Sequence, residues 1–527
     1  MLVMTQQRIL ILGAGFGGVY TARALARHVP REVCIEIVDN DNYFVFQPLL
    51  PEVAAGSIDA ADAVTSLRLL LPKAKVSEAE VVSIDFHHRE VEVIQDMRRH
   101  LRRIPYDHLV VALGQRVDLS RYPGLAEHGL TMKDLADAFR LRNHLIDCLE
   151  QADATEDAED KRRMLTFVVI GGGLSGVETV GEMENMLYRC LRFYPRIRRD
   201  EIRILLVEYQ PRLLAELPDS LAGYVARELR RRRIEVITGT GIKGASATDV
   251  ELSDGRVIRT MTIVATVGNA PSALVDGLPF AKYRGRIVTD RFLRVPGIEN
   301  VWAIGDVAAI PLENEQWAPP TAQAARQEAD VLAHNLVATA RGRPLRQAIC
   351  KSRGQLASIG GRRGVANLFG REMAGFFAWV LWRSIYLAMV PGWSTKARVA
   401  MDWMLDAVLP RNVVQIQQPG PSSVRRQRFR QGDIVFQAGD VTGPFHLVLS
   451  GVFERIDSNG QTTLIPAGGH FGEGALAGEK VRRASVRARE ESYCLVIERD
   501  DFERLASCWK GLAPFVVNAG PTHRAVG

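Results

Sequence analysis

The chain has 527 residues, of which 47% are hydrophobic and 24% are charged. This is the balance of an ordinary globular protein, and at roughly 150 residues per domain the length predicts three or four domains. The apolar runs are shorter than the ~18 residues that a transmembrane helix needs. The six cysteines occur singly, without a CxxC pair or the spacing of a metal site, which excludes a disulfide framework and the common zinc patterns.

The first apolar run, Ile9–Leu12, leads directly into glycines and predicts a buried strand rather than a signal peptide. Gly13, Gly15 and Gly18 follow it as G-x-G-x-x-G and open a predicted helix, and Asp39 ends the next predicted strand. Such glycines allow the backbone to approach a pyrophosphate at the helix N-terminus, while the acid accepts hydrogen bonds from a ribose diol. The pattern predicts a dinucleotide site, with a purely structural turn as the alternative.

A second copy of this pattern follows the charged stretch 153–163, which predicts an exposed linker. Its glycines are Gly171, Gly173 and Gly176, and its acid is Glu208, which lies 32 residues past Gly176, so the intervening helix must be long. A carboxylate there would bond a free 2′-hydroxyl and repel a 2′-phosphate, which favours NADH over NADPH. The alternative is that Glu208 is a solvated strand end.

Two dinucleotide sites in one chain predict a flavin and a nicotinamide, one in each domain. Three further segments make the chain resemble the pyridine nucleotide–disulfide reductase superfamily. They are LVVALG, which ends at Gly114, TVGNAP, which contains Gly268, and VWAIGDVA, which contains Gly305 and Asp306. The resemblance implies non-covalent FAD, with Asp306 at its ribityl chain, and NADH as substrate. The redox CxxC of that superfamily is absent, which excludes disulfide reduction.

Within that superfamily, FQPLLPEVAAG (46–56) and PPTAQAARQEADVLAHNL (319–336) resemble the type II NADH:quinone oxidoreductases. The resemblance places Ala322, Gln323 and Gln327 where the quinone meets the flavin. A spacing of four residues puts both amides on one helix face, and the positive end of the helix dipole would favour a reduced, anionic flavin. The alternative is an exposed helix with two incidental glutamines.

Glu178 occupies the Gly-Val-Glu position, which the same resemblance puts close to the nicotinamide–flavin stack. The alternative for Glu178 is a surface residue, because Glu182 follows it by one helical turn. The sequence departs from the family at Arg353, where a lysine is usual before Gly354. Because an arginine does not readily lose a proton, this change puts a proton-donor role at that position in doubt.

Residues 343–412 carry a local net charge of +8 and four of the seven tryptophans. Two short helices, Met373–Trp382 and 396–411, are expected to lie on an anionic membrane surface, with Trp379 and Trp382 adding apolar burial. Arg383 and Ser384 are expected to interrupt the first of these apolar segments. A buried helix pair is the alternative. Nucleic acid is not expected, because the aromatic residues lie within apolar runs.

Beyond residue 431, short strands punctuated by glycine predict a β-roll that resembles a cyclic nucleotide-binding domain. The supporting motif is Phe-Gly-Glu-x-Ala-Leu with Gly472, Glu473 and Ala475, followed by Arg482 nine residues after the glutamate. Arg482 would neutralise a cyclic phosphate, as in cAMP or cGMP, and Glu473 would accept the ribose 2′-hydroxyl. Because Arg483 replaces a small residue and few residues follow Phe502, the alternative is a degenerate module for docking or for a homodimer.

The expected fold is therefore α/β, with two dinucleotide-binding (Rossmann-like) domains, a helical membrane-surface segment and a C-terminal β-roll. The expected segments are an FAD-binding domain (1–120 and 269–345), an NADH-binding domain (121–268), a membrane-associating segment (346–412), a linker (413–430) and the cyclic nucleotide-binding-like domain (431–515).

The leading hypothesis is an FAD-dependent NADH:quinone oxidoreductase that does not pump protons, bound peripherally to the cytoplasmic face of the cell membrane. One alternative is a sulfide:quinone oxidoreductase, for which Cys190 and Cys350 are the only plausible pair of cysteines. Another is a flavin-bound redox sensor with negligible turnover. The sequence predicts no metal site.

Overall fold

The computed structural model describes residues 7–30, 33–95, 100–246, 248–313, 316–351, 354–415, 424–429, 431–475, 479–498 and 501. It contains two compact units, Met1–Ser77 with Tyr106–Ile416 and Glu78–Pro105 with Gln417–Gly527. The expectations that concern Arg353, Leu476 (the leucine of the Phe-Gly-Glu-x-Ala-Leu motif), Phe502 and half of the linker 413–430 lie outside the described residues.

The first third of the chain alternates strands and helices, as its alternating β-branched and amphipathic runs predict. In chain order the elements are β1 (Arg8–Leu12), α1 (Phe16–His28), β2 (Cys34–Asp39), β3 (Tyr43–Val45), α2 (Leu50–Ala54), β4 (Val64–Ser66), α3 (Leu67–Leu70), β5 (Lys75–Glu78), β6 (Glu80–Asp85), β7 (Glu90–Gln95), β8 (His100–Pro105), β9 (His108–Val111), β10 (Arg116–Val117), α4 (Leu125–His128), β11 (Gly129–Thr131), α5 (Leu135–Ala154) and α6 (Ala158–Met164).

Further strands and helices follow as far as Ala340. The elements are β12 (Thr166–Ile170), α7 (Leu174–Cys190), β13 (Arg203–Glu208), α8 (Asp219–Arg231), β14 (Ile234–Thr238), β15 (Ile242–Ala245), β16 (Asp249–Leu252), β17 (Val257–Arg259), β18 (Thr262–Ala265), β19 (Asn269–Ala270), α9 (Ala273–Asp276), β20 (Lys282–Tyr283), β21 (Arg286–Val288), β22 (Val301–Ala303), β23 (Ala308–Ala309) and α10 (Ala322–Ala340).

Two five-stranded sheets form the centre of the first unit. One has the order β22-β9-β1-β2-β5 and the other the order β11-β18-β12-β13-β14. The β1–β2 and β1–β9 pairs of the first sheet and every pair of the second are parallel. Ligands bind at the carboxyl ends of the strands in such sheets, and both glycine motifs lie there, directly after β1 and β12.

The linker expected at 153–163 is exposed but largely helical, because Asp157 starts α6 by accepting hydrogen bonds from the N–H groups of Glu159 (2.8 Å) and Asp160 (2.9 Å). Short polar side chains at such N-cap positions satisfy the first amides of a helix. The exposed linker therefore contains a short helix of its own.

The C-terminal part of the first unit holds β24 (Gln355–Ser358), β25 (Gly364–Leu368), β26 (Arg371–Gly375), α11 (Phe376–Met389) and α12 (Trp393–Val408). The expected bounds of the two membrane helices were therefore wrong. Residues 373–375 end a strand, and Arg383 and Ser384 lie inside a continuous helix rather than interrupting it.

The second unit contains the antiparallel sheet β6-β7-β8 and a β-roll made of two four-stranded sheets. The strands of the roll are β27 (Val424–Phe429), β28 (Ile434–Phe436), β29 (Phe445–Ser450), β30 (Phe453–Asp457), β31 (Thr462–Ile465), β32 (His470–Phe471), β33 (Ala484–Ala488) and β34 (Ser492–Ile497). Their orders are β27-β34-β29-β32 and β28-β33-β30-β31, and a core that includes Phe429, Phe453 and Phe471 lies between them.

Candidate active site

The three glycines of the first motif form a turn, called the first cradle below, in which Gly15 faces open space. A Cβ on Gly13 (φ +99°) would collide with the Ala112 carbonyl, and one on Gly18 would collide with the Gly13 carbonyl. A Cβ on Gly15 would meet nothing within 4 Å. The outer glycines therefore allow close backbone packing, and the middle one leaves room for a pyrophosphate.

Asp39 ends β2 beside this cradle, where its carboxylate accepts a hydrogen bond from the Ala14 N–H at 2.5 Å. Burial raises the pKa of Asp39, while the N–H groups of Asp41 and Ala14 act in the opposite direction. The carboxylate thus lies at the edge of the glycine turn, which is where a ribose hydroxyl would be bound.

The second motif repeats this geometry. Gly171 (φ +108°) and Gly176 are enclosed by backbone and by Thr266, whereas a Cβ on Gly173 would meet nothing within 4 Å. Glu208 ends β13 and accepts hydrogen bonds from the N–H groups of Gly172 and Gln210, the latter at 2.7 Å. The long gap before Glu208 is filled mainly by the 17-residue helix α7.

The remaining glycines of the predicted cofactor sites also have left-handed backbone. Gly114 (φ +64°) faces open space, Gly268 (φ +89°) lies against the Asp118 carbonyl, and Gly305 (φ +72°) opens the short turn that carries Asp306. Burial raises the pKa of Asp306, which faces the cations of Lys133 and Arg286.

Glu328 is a buried carboxylate that sequence reasoning missed. It lies on α10 and accepts a hydrogen bond from the Gly305 N–H at 2.7 Å, so it holds the turn that presents Asp306. Burial raises its pKa to about 7. The available signal was its position directly after Gln327, on the face of α10 that holds Ala325 and Ala329.

The two glutamines share one face of α10, because the side-chain amide of Gln327 donates to the Gln323 carbonyl at 3.3 Å. Gln327 also exchanges two hydrogen bonds with the backbone of Lys351, each 3.1 Å long. Thr321 caps the helix by accepting the Ala324 N–H at 3.2 Å, and Ala322 is the first helical residue. Gln327 therefore fixes the position of the Lys351 backbone.

Glu178 is buried, with 8% of its surface exposed, which excludes the surface alternative. One carboxylate oxygen accepts the Ser358 N–H at 3.1 Å. Burial raises its pKa to about 8, and the nearby carboxylates Glu52 and Glu182 act in the same direction. Glu178 therefore retains a proton near neutral pH.

Glu52, in the segment FQPLLPEVAAG, is a second buried carboxylate that the sequence patterns did not indicate. It accepts hydrogen bonds from Trp403 Nε1 at 2.9 Å and from Arg383 Nη2 at 3.1 Å. The Arg383 guanidinium lies 4.3 Å from the ring centre of Trp379 and 4.6 Å from that of Trp403. Burial raises the pKa of Glu52 to about 7, although Arg383 opposes this.

Helices α11 and α12 bury some of their aromatic residues and expose others. Trp382 is 1% exposed and Trp403 is 7% exposed, so the expectation that Trp382 contacts lipid was wrong. Trp393 is 83% exposed and Phe377 is 76% exposed. The other exposed apolar side chains of the two helices are Phe376, Val380, Met401, Met404, Leu405 and Val408. None of the helices in the described ranges is long and apolar enough to cross a bilayer.

The two cysteines required by the sulfide:quinone alternative have different neighbours. Cys190 is buried at the end of α7 and faces the cations of Arg411 and Arg189, whereas Cys350 faces Glu328. Both are free thiols. Among the described residues, no group of His, Cys, Asp and Glu side chains is arranged to hold a metal ion.

In the β-roll, Arg482 is buried with 6% of its surface exposed. Its guanidinium lies 4.0 Å from the ring centre of Phe436, and its Nη2 donates to the Pro444 carbonyl at 3.0 Å. Burial lowers its pKa to about 10. A Cβ on Gly472 (φ +96°) would lie 3.1 Å from Arg482 Nη1, so the glycine gives access to the cation.

Glu473 opens a short helical turn that runs to Ala475. One of its oxygens lies 3.4 Å from Arg455 Nη1, and the other is buried without a partner among the described residues. Arg483 is 76% exposed and pairs with Glu479 at 2.8 Å, so it does not fill the pocket beside Arg482.

Three family matches cover most of the chain. Residues 7–329 match the pyridine nucleotide-disulphide oxidoreductase family, residues 353–412 match the NDH2 C-terminal domain, and residues 426–507 match the cyclic nucleotide-binding domain.

Characterised relatives and solved structures agree with these matches. Demethylphylloquinone reductase NdbB of Synechocystis is 31% identical over 408 residues, covering 75% of this chain and 95% of that protein. Type II NADH:quinone oxidoreductase Ndh of Mycobacterium tuberculosis is 28% identical, with coverages of 76% and 87%. NDH2 from Plasmodium falciparum in complex with NADH has the same fold, with a TM-score of 0.73 at 21% identity, covering 78% of this chain and all of that one.

The sulfide:quinone oxidoreductase of Aquifex aeolicus shares the fold less closely, with a TM-score of 0.61 at 18% identity and coverages of 78% and 96%. The extended match to the first family and the 31% identical relative establish the relationship. The chain belongs to the pyridine nucleotide-disulphide oxidoreductase family, among its type II NADH:quinone oxidoreductases, and carries a C-terminal module of the cyclic nucleotide-binding type.

Proposed function

We propose that the chain oxidises NADH at the second glycine cradle and reduces a quinone at the Gln323–Gln327 face, through FAD held non-covalently in the first cradle. The observation that carries this proposal is the pair of open cradles, each with its own acid, in two adjacent parallel-sheet domains. When bound, FAD accepts a hydride and passes two electrons onward.

The described residues fit FAD in the first domain. The open positions at Gly15 and Gly114 leave space for the pyrophosphate and for the chain that follows it, and Asp39 would bind the ribose. Asp306, held by the Glu328–Gly305 hydrogen bond, would bind the ribityl hydroxyls. In the second domain, Gly173 leaves room for the NADH pyrophosphate, Gly268 lies on the strand-end loop, and Glu208 selects the free 2′-hydroxyl.

The quinone face is proposed from the contacts of Gln327 with Lys351 and Gln323. Replacing both glutamines by alanine should reduce the rate with a soluble quinone more than the rate of hydride transfer from NADH to FAD. Asp330→Ala, an exposed change one turn further along α10, is the matched control. Equal losses in the two half-reactions would remove the quinone assignment.

Attachment to an anionic membrane surface at the cytoplasmic face is proposed for α11 and α12. Their exposed apolar side chains would enter the acyl boundary, and exposed basic residues of the segment, such as Arg362 and Arg371, would meet the headgroups. In sedimentation with anionic vesicles, Phe377→Ser with Trp393→Ser should release the protein, whereas Val257→Ser, an equally polar change at an exposed site of the NADH-binding domain, should not. Full recovery of the wild type in the soluble fraction at low salt would contradict the attachment.

Cyclic nucleotide binding is proposed for the β-roll, and the buried Arg482 carries this proposal. A buried charge is costly unless it is well paired, and a bound phosphate would add an ion pair to the contacts of Arg482 with the Pro444 carbonyl and the Phe436 ring. Gly472 gives access to it, and the unpartnered oxygen of Glu473 would accept a ribose hydroxyl. Calorimetry with cAMP and cGMP should detect binding that Arg482→Ala abolishes and Arg483→Ala retains. Absence of binding to the wild type at millimolar concentration would make the module structural.

Regulation of turnover through this module is proposed because strands β6 to β8 belong to the same compact unit. His100 Nε2 lies 3.5 Å from Asp440 Oδ1, and the Asp440 carbonyl accepts the Arg482 N–H at 2.6 Å. Along the chain, β6, β7 and β8 lie between β5 and β9, and both of these belong to the five-stranded sheet that carries the first glycine motif. A ligand that favours one arrangement of the roll would act on these strands through the peptide chain.

A further inference from the structure

A concave site of about 390 Å³ lies between α1, α10 and the short connection from α11 to α12. Its polar side chains are Tyr20 and Arg23 of α1, Arg326 of α10 and Lys396 of α12, and residues 388–393 complete its wall. Three of these side chains are cations, and none of the residues that line the site in the described part of the chain is acidic. We call this site the basic cavity.

Tyr20 brings the two arginines of the basic cavity together. The guanidinium of Arg23 lies 5.7 Å from the centre of the Tyr20 ring, and that of Arg326 lies 5.0 Å from it. The Tyr20 hydroxyl in turn lies 3.5 Å from the carbonyl oxygen of Met389, at the end of α11. An aromatic ring attracts a cation without neutralising its charge, so both guanidinium groups remain available to an anion.

These two arginines lack the carboxylate partner that a neighbouring arginine has. Arg398 of α12 pairs with Asp62 at 2.6 Å. Among the described residues, no carboxylate lies within ion-pair distance of Arg23 or Arg326. Two like charges held at the same ring repel each other, and a bound anion would replace this repulsion by attraction.

Lys396 adds a third cation to the basic cavity. Its ammonium group donates a hydrogen bond to the Ala388 carbonyl at 2.7 Å, near the end of α11, where the helix dipole favours a positive charge. An ammonium group has three N–H donors, so two of them remain after this bond. The basic cavity therefore offers N–H donors from three side chains that come from three different helices.

The basic cavity lies beside the exposed apolar face of α12. Trp393 lines the cavity, begins α12 and is 83% exposed. Met401, Met404 and Val408 are also exposed, and their spacing from Trp393 puts all four side chains on one face of the helix. Tryptophan is enriched at membrane–water interfaces, and basic pockets beside such helices bind lipid headgroups. With this face on a membrane, the nearest anions are the phosphates of lipids.

We propose that the basic cavity binds the phosphate of an anionic phospholipid headgroup, with Arg23 and Arg326 as its principal donors and Lys396 as the third. A guanidinium presents parallel N–H groups that match two oxygens of a phosphate. Trp393 would lie in the boundary layer beside the bound lipid. The inference rests on the proposed membrane attachment and adds a specific lipid site to it.

Such a site would also define how the protein is oriented on the membrane. Arg326 directly precedes Gln327 on α10, so a lipid bound at Arg326 would hold the first turns of α10, and with them the proposed quinone face, close to the membrane surface. A basic surface without a defined pocket attracts an anionic membrane but does not fix which part of the protein touches it.

The first test compares two double variants of the FAD-loaded, full-length protein in sedimentation with phosphatidylcholine vesicles that contain phosphatidylglycerol. Arg23→Gln with Arg326→Gln removes both principal donors. Arg27→Gln with Arg341→Gln is the matched control, because these exposed residues lie one turn beyond Arg23 on α1 and directly after α10, outside the cavity. Each pair removes the same amount of positive charge.

At roughly fivefold per arginine in contact with lipid, the affinity of the first pair for these vesicles should fall at least about twentyfold, and that of the control pair less than about threefold. Equal losses in the two pairs would overturn the proposal, because attraction by net charge alone would then explain the binding.

The second test separates recognition of a phosphate from attraction to negative charge. At equal surface charge, the wild type should bind vesicles that contain phosphatidylglycerol at least about fivefold more tightly than vesicles that contain oleate, whose anion is a carboxylate. Arg23→Gln with Arg326→Gln should lose this preference, and the control pair should retain it. Equal binding of the wild type to both kinds of vesicle would overturn the proposal.

Calorimetry with inorganic phosphate distinguishes a lipid site from a site for a soluble anion. If the wild type bound inorganic phosphate, Arg23→Gln with Arg326→Gln abolished that binding, and the same variant still sedimented with vesicles like the wild type, the cavity would be a site for free phosphate and the lipid assignment would be wrong.

Arginine labelling of the wild type does not depend on how the variants fold. Phenylglyoxal modifies accessible arginines, and peptide mass spectrometry reports each position separately. Vesicles that contain phosphatidylglycerol should protect Arg23 and Arg326 but not Arg27 and Arg341. Absence of this difference in protein that sediments with the vesicles would overturn the lipid site and leave the attachment intact. A wild type that does not sediment with anionic vesicles at low salt would instead refute the membrane attachment itself.

Discussion

Trp403 donates its indole N–H to the buried carboxylate of Glu52 over a distance of 2.9 Å. This hydrogen bond joins α12, a helix with an exposed apolar face, to the α2 segment that follows the first glycine cradle. Together with the bond from Arg383 of α11 to the same carboxylate, it makes the C-terminal helices an integral part of the first unit, although some of their apolar side chains remain exposed.

Replacing Trp403 by phenylalanine should therefore destabilise the protein. The ring is retained, but Glu52 loses one of its partners while remaining buried, which typically costs about 1–3 kcal/mol. Urea unfolding should show this loss, while Trp393→Phe, at a position that is 83% exposed, should stay within about 0.5 kcal/mol of the wild type. Equal stabilities of the two variants would contradict the role assigned to Glu52.

The stability of the wild type should fall as the pH rises from weakly acidic to weakly alkaline. Because the pKa of Glu178 is raised from 4.5 to about 8 in the folded protein, the folded state holds that proton more tightly than the unfolded state does. This stabilisation is fully present below the pKa that Glu178 has in the unfolded chain, and it is lost as the pH rises through the pKa that Glu178 has in the folded protein. Glu52 and Glu328 act in the same direction.

Glu178→Gln should accordingly reduce the slope of unfolding free energy against pH by up to about 1.4 kcal/mol per pH unit in that window. Glu216→Gln, at an exposed site, should leave the slope unchanged. If Glu178→Gln had the wild-type slope, Glu178 would already be ionised in the folded protein at the lower end of the window.

Glu208 should determine the choice between NADH and NADPH. Its carboxylate accepts the Gly172 and Gln210 N–H groups, and its negative charge would repel a 2′-phosphate. Glu208→Gln keeps an acceptor oxygen and removes the charge, so the ratio of kcat/KM for NADH over NADPH should fall at least about tenfold, or ~1.4 kcal/mol. Equal kcat/KM values for the two nucleotides in the wild type would make Glu208 a simple strand-end residue.

Some features of the candidate site could be predicted from short segments of sequence, and others could not. The glycine turns and the acids beside them are determined by short segments, so Gly15 and Gly173 lie at the predicted helix starts and Asp39 and Glu208 at the predicted strand ends, while their roles in cofactor binding stay predictions. The burial of Glu178 depends on Ser358, 180 residues away in the chain, and no local pattern indicated it.

The bounds of α11 were mispredicted for a related reason. Arg383 was expected to interrupt an apolar helix because a charge is costly within an apolar run. Its partner Glu52 lies 331 residues earlier, and the pair allows the helix to continue past Arg383. Long-range pairing of this kind explains why Glu52, Glu328 and Arg411 were not recognised as part of the site.

Coupling between the β-roll and turnover should depend on His100. His100→Ala removes its contact with Asp440, so cAMP or cGMP should still bind with similar affinity but should no longer change the rate of NADH oxidation. His88→Ala is the matched control, because His88 lies in the turn between β6 and β7 and pairs with Asp85 at 2.7 Å. A His100→Ala variant with the full wild-type response would show that the signal takes another route.

The central claim is tested most directly by following the absorbance of bound FAD under anaerobic conditions, first with NADH and then with a soluble quinone. The account predicts that NADH bleaches the flavin, that quinone restores it at a rate sufficient for steady-state turnover, and that sulfide alone has no effect. Bleaching by sulfide but not by NADH would identify a sulfide:quinone oxidoreductase, and a flavin that NADH reduces but quinone does not reoxidise would identify a sensor; either result would contradict the account.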